Sequence, residues 1–180
     1  MLRKTMIGLA VLLLAIVVLC GAAIMYVKPT EALNLDYEQV PVAQKALEMI
    51  KARKLEVRLS ERDLNDILKK QLAARAKIGP NATIEGARFE QRGSRLTAYV
   101  NIRTVGGIAV GGAIDFTLEW KSPELIVRPT EPRIRGLSVP DAWLPLEPIV
   151  IRADELLPPL VTIKDVRFED AGITIAFKLE

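Results

Sequence analysis

Carboxylate pairs are the residues of this chain whose types and spacing come closest to catalytic chemistry. Histidine does not occur among the 180 residues, which removes the usual general base, the Ser-His-Asp and Cys-His arrangements and nearly all zinc sites of ordinary ligand type. Two acids buried together can raise one pKa and so take part in acid/base catalysis. The candidate pairs are Asp63 with Asp66, Asp141 with Glu147, and Asp154 with Glu155.

None of these pairs predicts an enzyme. Asp63 suits a helix-capping role, and Asp66 lies away from the apolar stripe of the same helix. The acids lack the clustered spacing of a calcium loop. The glycine pairs Gly106-Gly107 and Gly111-Gly112 lie inside a sheet pattern rather than between a strand and a helix, where a phosphate-binding loop would stand. We therefore expect a protein that is not an enzyme, with no catalytic residue, no metal site and no cofactor.

The segment Leu59 to Arg75, LSERDLNDILKKQLAAR, has the pattern of one amphipathic helix. Ser60 is the expected N-cap, and Asp63 stands at the third helical position, as in a weaker version of the capping box. Apolar residues recur on one face at spacings of three and four. They are Leu64, Ile67, Leu68 and Leu72. This stripe is either ordinary core or one wall of a ligand groove.

The run Met6 to Val27 contains no charged residue over 22 positions, which meets the length needed to cross a bilayer core. Gly21-Ala22-Ala23 is compatible with signal-peptide cleavage, but apolar residues continue to Val27, so we expect an uncleaved anchor. Arg3 and Lys4 precede the run, whereas Lys28 alone follows it closely. The N-terminus is therefore expected in the cytoplasm and the C-terminal domain outside the membrane.

Charge and cysteine content restrict the partners further. The formal net charge of +3 falls to +1 when Arg3 and Lys4 are set aside, and aromatic residues make up 5% of the chain. This composition gives no electrostatic footprint for nucleic acid. Cys20 is the only cysteine, so no intrachain disulfide can form.

Two short elements are expected between the anchor and the first strand. Lys28 to about Asp36 reads as a stalk, because Pro29 prevents smooth continuation of the membrane helix. After Pro41, the sequence VAQKALEMIKARK predicts a juxtamembrane helix with a basic face. That face is compatible with contact to anionic headgroups or with simple solvation.

The residues after Gly79-Pro80-Asn81 alternate as in a sheet. Thr83 to Glu90 and Arg95 to Arg103 predict a hairpin with its turn at residues 91–94. Ile108 to Trp120 predicts a strand of about 13 residues, or roughly 40 Å, which is long enough to curl around something. Gly111 and Gly112 leave little bulk in its middle and indicate a bulge, a bend or a close approach, of which we favour a bend.

Prolines divide the last third of the chain. Glu124 to Arg128 and Arg133 to Val139 are predicted as separate strands on either side of Pro129 and Pro132. The segment from Pro140 to Pro159 contains five prolines and predicts only short helical turns. Its Trp143 either caps a groove or covers the end of the core. The last strands are predicted at Thr162 to Glu169 and at Ile173 to Leu179, as a hairpin.

Two motifs carry a resemblance to a known family. LSERDLNDIL at Leu59 to Leu68 and LPPLVTIKDVRFEDAGITI at Leu157 to Ile175, together with their order after a membrane anchor, resemble the bacterial TULIP-like (tubular lipid-binding) envelope proteins of the YpmS-like or LmeA-like groups. The resemblance covers roughly residues 55–180. The proline-rich segment fits the YpmS-like pattern less well, so the subgroup stays open.

The resemblance implies an α+β fold in which an N-terminal transmembrane helix precedes a long, twisted antiparallel sheet wrapped around an amphipathic helix. The expected parts are a cytoplasmic tip and anchor at 1–28, a stalk and juxtamembrane helix at 29–54, and a lipid-binding domain at 55–180. The implied ligand is a membrane lipid or another acyl chain in an apolar groove. The groove candidates are Leu64, Ile67, Leu68, Leu72, Val100, Ile102, Ile108, Val110, Ile114, Phe116, Leu118 and Trp143.

The expected function is therefore that of a membrane-anchored, extracytoplasmic protein that holds or transfers acyl chains in the bacterial envelope. A non-catalytic scaffold module that recruits another envelope protein is the alternative, since a filled core would give the same sequence pattern. A carboxylate hydrolase is a third hypothesis, and an Asp63→Asn variant with unchanged function would count against it.

Overall fold

The computed structural model describes residues 2–40, 55–78, 80–140, 147–152, 161–170 and 172–179, with side chains in the first helix described from Val11 onward. This part of the chain is α+β, as expected, with two α-helices and antiparallel strands. The helices are α1 (Leu2–Val27) and α2 (Glu61–Ala74). The strands are β1 (Glu56–Ser60), β2 (Lys77–Ile78), β3 (Ala82–Arg92), β4 (Arg95–Thr104), β5 (Ala109–Lys121), β6 (Glu124–Ile134), β7 (Leu137–Ser138), β8 (Ile149–Arg152), β9 (Val161–Glu169) and β10 (Gly172–Leu179).

Helix α1 contains 26 residues, and its large apolar side chains from Val11 to Tyr26 are exposed. Among the residues whose side chains are described, no helix is long and apolar enough to cross a membrane. The membrane span expected at Met6 to Val27 therefore stays a prediction.

Helix α2 begins with the expected capping box. The Ser60 hydroxyl accepts a hydrogen bond from the Asp63 backbone N–H at 3.2 Å, and the Asp63 carboxylate accepts one from the Ser60 backbone N–H at 2.9 Å. The helix is shorter than the predicted segment because Leu59 pairs with Ile173 in a sheet and Arg75 leaves helical geometry at φ −132°. The capping prediction is confirmed, and both ends of α2 lie inside the predicted segment.

The strands form two antiparallel sheets. The larger sheet has the order β2-β3-β4-β5-β6-β7, with β8 also pairing with β6. The smaller sheet has the order β1-β10-β9 and contains the final hairpin that the sequence predicts. Gln91 and Gly93 connect the two sheets, because the Gln91 side-chain amide and the Gly93 N–H both donate to the Glu169 carbonyl, at 2.7 and 3.2 Å.

Two tight turns need the left-handed backbone conformation. The β3–β4 turn consists of Gly93 and Ser94, with Gly93 at φ +56°, as glycine commonly provides in the first central position of a two-residue turn. The β6–β7 turn consists of Arg135 at φ +52° and Gly136 at φ +82°. Positive φ at both positions matches a type I′ turn and places the arginine side chain at the tip of the hairpin.

Strand β5 has the predicted length of 13 residues, whereas β6 differs from the prediction. Instead of two strands divided by prolines, β6 runs through Pro129 and Pro132, which pair with Phe116 and Ile114. The Pro132 carbonyl accepts from the Val139 N–H, on the side away from β5. The N–H and C=O of one strand residue point to the same side, so the N–H that Pro132 lacks would also point away from β5. The β5–β6 ladder therefore loses no hydrogen bond at Pro132.

The proline-rich segment also differs from the prediction where it is described. Ile149–Arg152 forms strand β8 rather than a helical turn, and pairs with residues 124–127 of β6. Ile149, Val150 and Ile151 are β-branched, and such side chains favour extended backbone once a partner strand is available. The rest of this segment, including Trp143, and the expected juxtamembrane helix at 42–54 lie outside the described residues.

The core lies between the two sheets, beside α2. Leu96, Leu118 and Ile173 form its buried centre. Half-buried apolar side chains pack around this centre: Leu64, Leu68, Phe89, Phe116, Val127, Val166, Phe168 and Ile175. Both sheets and α2 contribute to one cluster, so burial of apolar surface holds the three elements together.

Candidate functional site

The carboxylate pairs do not assemble into a catalytic site in the described part of the chain. The Asp63 carboxylate is engaged in the α2 cap, and Asp66 is a separate, buried residue of the same helix. Glu147 is exposed, while Asp141, Asp154 and Glu155 lie outside the described residues. Among the described side chains, no group of three or more acids, cysteines or histidines has the geometry to hold a metal ion.

The groove candidates of the large sheet share one face. Register pairs Ile102 with Val110, Val100 with Gly112, and Leu96 with Phe116 across β4 and β5. Residues two apart on a strand point to the same side, so Val100, Ile102, Val110, Ile114, Phe116 and Leu118 all face the α2 side of the sheet. Ile108 precedes β5 and is half-buried, and its carbonyl accepts from the Thr104 N–H at 2.9 Å.

Contact with the buried centre of the core divides this apolar face into two parts. Near α2, Leu64, Leu68, Phe116 and Leu118 belong to the packed cluster, so they contact side chains. Farther along β4 and β5, Ile102, Val110 and Ile114 are half-buried among the described residues. The two remaining helix candidates, Ile67 and Leu72, are half-buried as well. The face therefore joins the packed cluster at one end, and at the other end it is half-buried except for Val100, which is buried.

The outer edge of β3 is covered by the Asn65 side chain and by backbone carbonyls outside the sheet, rather than by a long strand. The Phe89 N–H donates to the Asn65 side-chain oxygen of α2 at 3.0 Å. The Ala87 N–H donates to the Asn34 carbonyl at 3.1 Å, and the Ile84 N–H donates to the Ala76 carbonyl at 2.7 Å. Unpaired N–H groups on a sheet edge invite association with other strands, and these contacts remove them.

Asn65 and Asn34 are residues whose roles the sequence pattern did not reveal. Asn65 lies inside the motif LSERDLNDIL, yet its partner Phe89 is 24 positions away. Asn34 lies in the segment that reads as a stalk. The one signal in the sequence was the position of Asn65 inside a predicted helix. Asparagine is a poor helix former, so its presence there indicates that its side chain has a hydrogen-bond partner.

The segment after α1 lies across the polar face of the large sheet. The Asn101 side-chain amide donates to the Glu31 carbonyl at 2.7 Å, and Arg88 donates to the Glu31 carboxylate at 3.0 Å. Gly86 and Gly111 permit the approach, since a Cβ at Gly111 would stand 2.7 Å from the Pro29 Cα and one at Gly86 would overlap the Leu33 carbonyl. Close approach of another backbone, and not only bending, thus accounts for Gly111 in β5.

Arg88 is the main ionic contact of this segment. Its guanidinium lies 4.3 Å from the centre of the Tyr99 ring and pairs with Glu31 and Glu90. Burial is the largest single effect on its pKa and lowers it, but hydrogen bonds and charge from the two carboxylates together outweigh burial, so the pKa of Arg88 is raised. The arginine stays charged and holds Glu31 against the sheet.

A cavity of about 270 Å³ opens between this segment and the sheet. It lies on the polar face, opposite the apolar groove candidates, and Tyr99, Asn101 and Gly111 form its floor. Basic residues dominate its charged lining, with Lys28, Arg133 and Arg135 against Glu31. We refer to this space as the Lys28–Arg135 cavity. The cavity therefore has more basic than acidic groups on its lining.

The Lys28–Arg135 cavity lies beside the C-terminal end of α1. The Arg135 Nε donates to the Lys28 carbonyl at 3.2 Å, and the Arg135 guanidinium lies 6.0 Å from the centre of the Tyr26 ring. Arg133 pairs with Asp115 on the sheet.

Comparison of the chain with models of protein families, with curated proteins and with solved structures finds no match.

Proposed function

We propose that this chain is a membrane-anchored, extracytoplasmic protein that holds or transfers acyl chains in the bacterial envelope. The observation that carries the proposal is the apolar face of β4 and β5, which continues beyond the packed cluster through Ile102, Val110 and Ile114. Each methylene that moves from water to such a surface contributes about 0.8 kcal/mol, so a bound chain of a dozen carbons gains several kcal/mol even after the cost of binding.

Membrane anchoring is supported by the sequence of α1 and by its exposure. Met6 to Val27 is uncharged, and consecutive side chains from Val11 to Leu14 are 56–65% exposed. A helix that is apolar on every side needs an apolar environment, which the described domain does not supply. A bilayer does. The excess of Arg3 and Lys4 before this helix supports a cytoplasmic N-terminus.

Lipid uptake by the full chain tests the proposal. We expect protein purified from a bacterial membrane fraction to carry lipid by mass spectrometry and to bind a fluorescent fatty acid. Val110→Trp and Ile114→Trp would fill the half-buried part of the apolar face and abolish uptake. Val105→Trp is the matched control, because Val105 is 66% exposed and lies outside the strands. Protein that carries no lipid and takes up no fatty acid contradicts the proposal.

A scaffold module that recruits another envelope protein is the second candidate. The observation that favours it is β8, where Ile149, Val150 and Ile151 are 54%, 51% and 37% exposed among the described residues. Exposed apolar strands are common surfaces for protein association. If the protein is a scaffold, its core is filled and the wild type takes up no fatty acid. Val110→Trp then only overpacks the core and lowers the urea midpoint of unfolding.

A further inference from the structure

We propose that the Lys28–Arg135 cavity binds a phosphate group, and that in the intact protein this phosphate belongs to a phospholipid headgroup. The site is separate from the apolar face, because it lies on the opposite side of β4 and β5. The assignment to a phospholipid rests on the membrane anchoring proposed above and is independent of acyl-chain uptake by the apolar face.

The charges around the cavity leave two cations for a ligand. Arg133 is paired with Asp115, and Glu31 is paired with Arg88, which also contacts Glu90. Lys28 and Arg135 have no carboxylate within ion-pair distance among the described residues. An ammonium and a guanidinium on one cavity are the groups that proteins use most often to bind phosphate.

Hydrogen-bond donors complete the cavity. The Nε atom of Arg133 is inaccessible to solvent and has no hydrogen-bond partner in the described part of the chain. This atom is closed to a ligand, so the donors that a phosphate can reach are the exposed Lys28 ammonium and Arg135 guanidinium.

Size and position favour a headgroup. A volume of about 270 Å³ lies just below the usual range for small-molecule pockets of about 300 to 1,000 Å³, so the cavity suits a phosphate with a small substituent rather than a whole lipid. Tyr26 and Lys28 stand at the end of α1, and aromatic and basic residues are typical of the membrane interface. If α1 spans the bilayer, the cavity is at the level of the outer headgroups.

The test uses the full chain in an uncharged detergent and phosphate-free buffer. Native mass spectrometry measures retention of phosphatidylglycerol and of diacylglycerol with the same acyl chains, which differ in the phosphate headgroup. Calorimetry measures binding of sn-glycerol 3-phosphate and inorganic phosphate. The variant Lys28→Gln/Arg135→Asn removes both cations, and asparagine is chosen because it tolerates the positive φ at position 135. Arg92→Gln, an exposed arginine at the far end of β3, is the matched control.

We expect the wild type and Arg92→Gln to retain phosphatidylglycerol in preference to diacylglycerol, with sn-glycerol 3-phosphate as a competitor. The double variant should lose about tenfold or more in affinity, since two charge-assisted hydrogen bonds are removed. Equal retention by the double variant and the wild type overturns the site. Binding of the soluble phosphates without any preference for phosphatidylglycerol overturns the lipid assignment.

Fatty-acid uptake separates this inference from the proposed function. The double variant should bind the fluorescent fatty acid as the wild type does, because its substitutions lie on the other face of the sheet. Loss of uptake in the double variant together with loss of its thermal unfolding transition would show misfolding and overturn the interpretation of that variant. In that event Lys28→Gln alone, which leaves the β6–β7 turn unchanged, must weaken phosphate binding for the proposal to stand.

Discussion

Asn65 shows how one polar side chain holds a helix against a sheet edge. Its side-chain oxygen accepts the Phe89 N–H, while Phe89 itself packs against the buried cluster with Leu64 and Leu68. The hydrogen bond therefore fixes α2 in the register that its leucines need. An N–H left without this acceptor would be partly buried and unsatisfied.

Asn65→Leu should lower the free energy of unfolding by about 1 to 3 kcal/mol, because the partly buried Phe89 N–H loses its acceptor. Urea denaturation followed by circular dichroism measures the change. Asn65→Asp keeps an oxygen at the same position and should recover most of the loss. Equal destabilisation by the two variants would show that the hydrogen bond to Phe89 is not the cause.

Much of the residue-scale pattern is local and could be predicted. Ser60 and Asp63 form the predicted capping box because the two residues are three apart and need no distant partner. The partner of Asn65 could not be predicted, since the N–H that its side-chain oxygen accepts belongs to Phe89 of β3 and depends on where β3 lies. Arg135 likewise gains its position near Lys28 through a hydrogen bond between residues 107 positions apart.

At the scale of elements, the segment after α1 is attached to the sheet through its backbone. Asn34 accepts the Ala87 N–H, and Glu31 is held by Asn101 and Arg88. The sequence predicts a stalk at Lys28 to Asp36 because Pro29 prevents smooth continuation of the membrane helix. Its position follows from the sheet that it lies on, and Gly86 and Gly111 of that sheet make the space.

Gly86→Ala should release this segment from the sheet, because the new Cβ overlaps the Leu33 carbonyl. We expect the Ala87 amide, which then loses its acceptor, to exchange with deuterium at least about tenfold faster in hydrogen-exchange measurements. Gly112→Ala is the control, since its Cβ would meet the Arg133 carbonyl at 3.2 Å and not the segment. Unchanged exchange at Ala87 would contradict the role assigned to Gly86.

The strand predictions differ in outcome for a physical reason. The alternation in β5 and in the final hairpin predicts their extent well, because alternation is the period of a half-buried strand. Strands β6 and β8 were not predicted as they stand. Prolines argue against a strand in general, but Pro129 and Pro132 pair with β5 and lie between the parts of β6 that pair with β8 and with β7.

At the scale of the whole molecule, the proposed function requires that α1 crosses the membrane and that the domain lies outside. The Lys28–Arg135 cavity at the end of α1 would then face the headgroups, while the apolar face of β4 and β5 lies on the other side of the sheet. One sheet would thus separate a headgroup site from an acyl-chain site.

Cysteine labelling in intact bacterial cells tests this orientation. In a Cys20→Ala background, Ser94→Cys at the exposed tip of the β3–β4 hairpin should react with a membrane-impermeant maleimide. Thr5→Cys should react only after lysis, because Thr5 precedes the uncharged run. Labelling of Thr5→Cys but not Ser94→Cys in intact cells would contradict the proposed orientation.

Features that depend on near neighbours can be read from the amino-acid sequence: the amphipathic α2 and its cap, the hairpin patterns, the uncharged N-terminal run and the absence of histidine chemistry. The tertiary structure alone decided which apolar residues pack with α2, how the β3 edge is closed, and that Lys28 meets Arg135 beside a cavity. Local patterns follow from the spacing of side chains along one element. Contacts between residues 24 to 107 positions apart depend on how the elements fold onto one another.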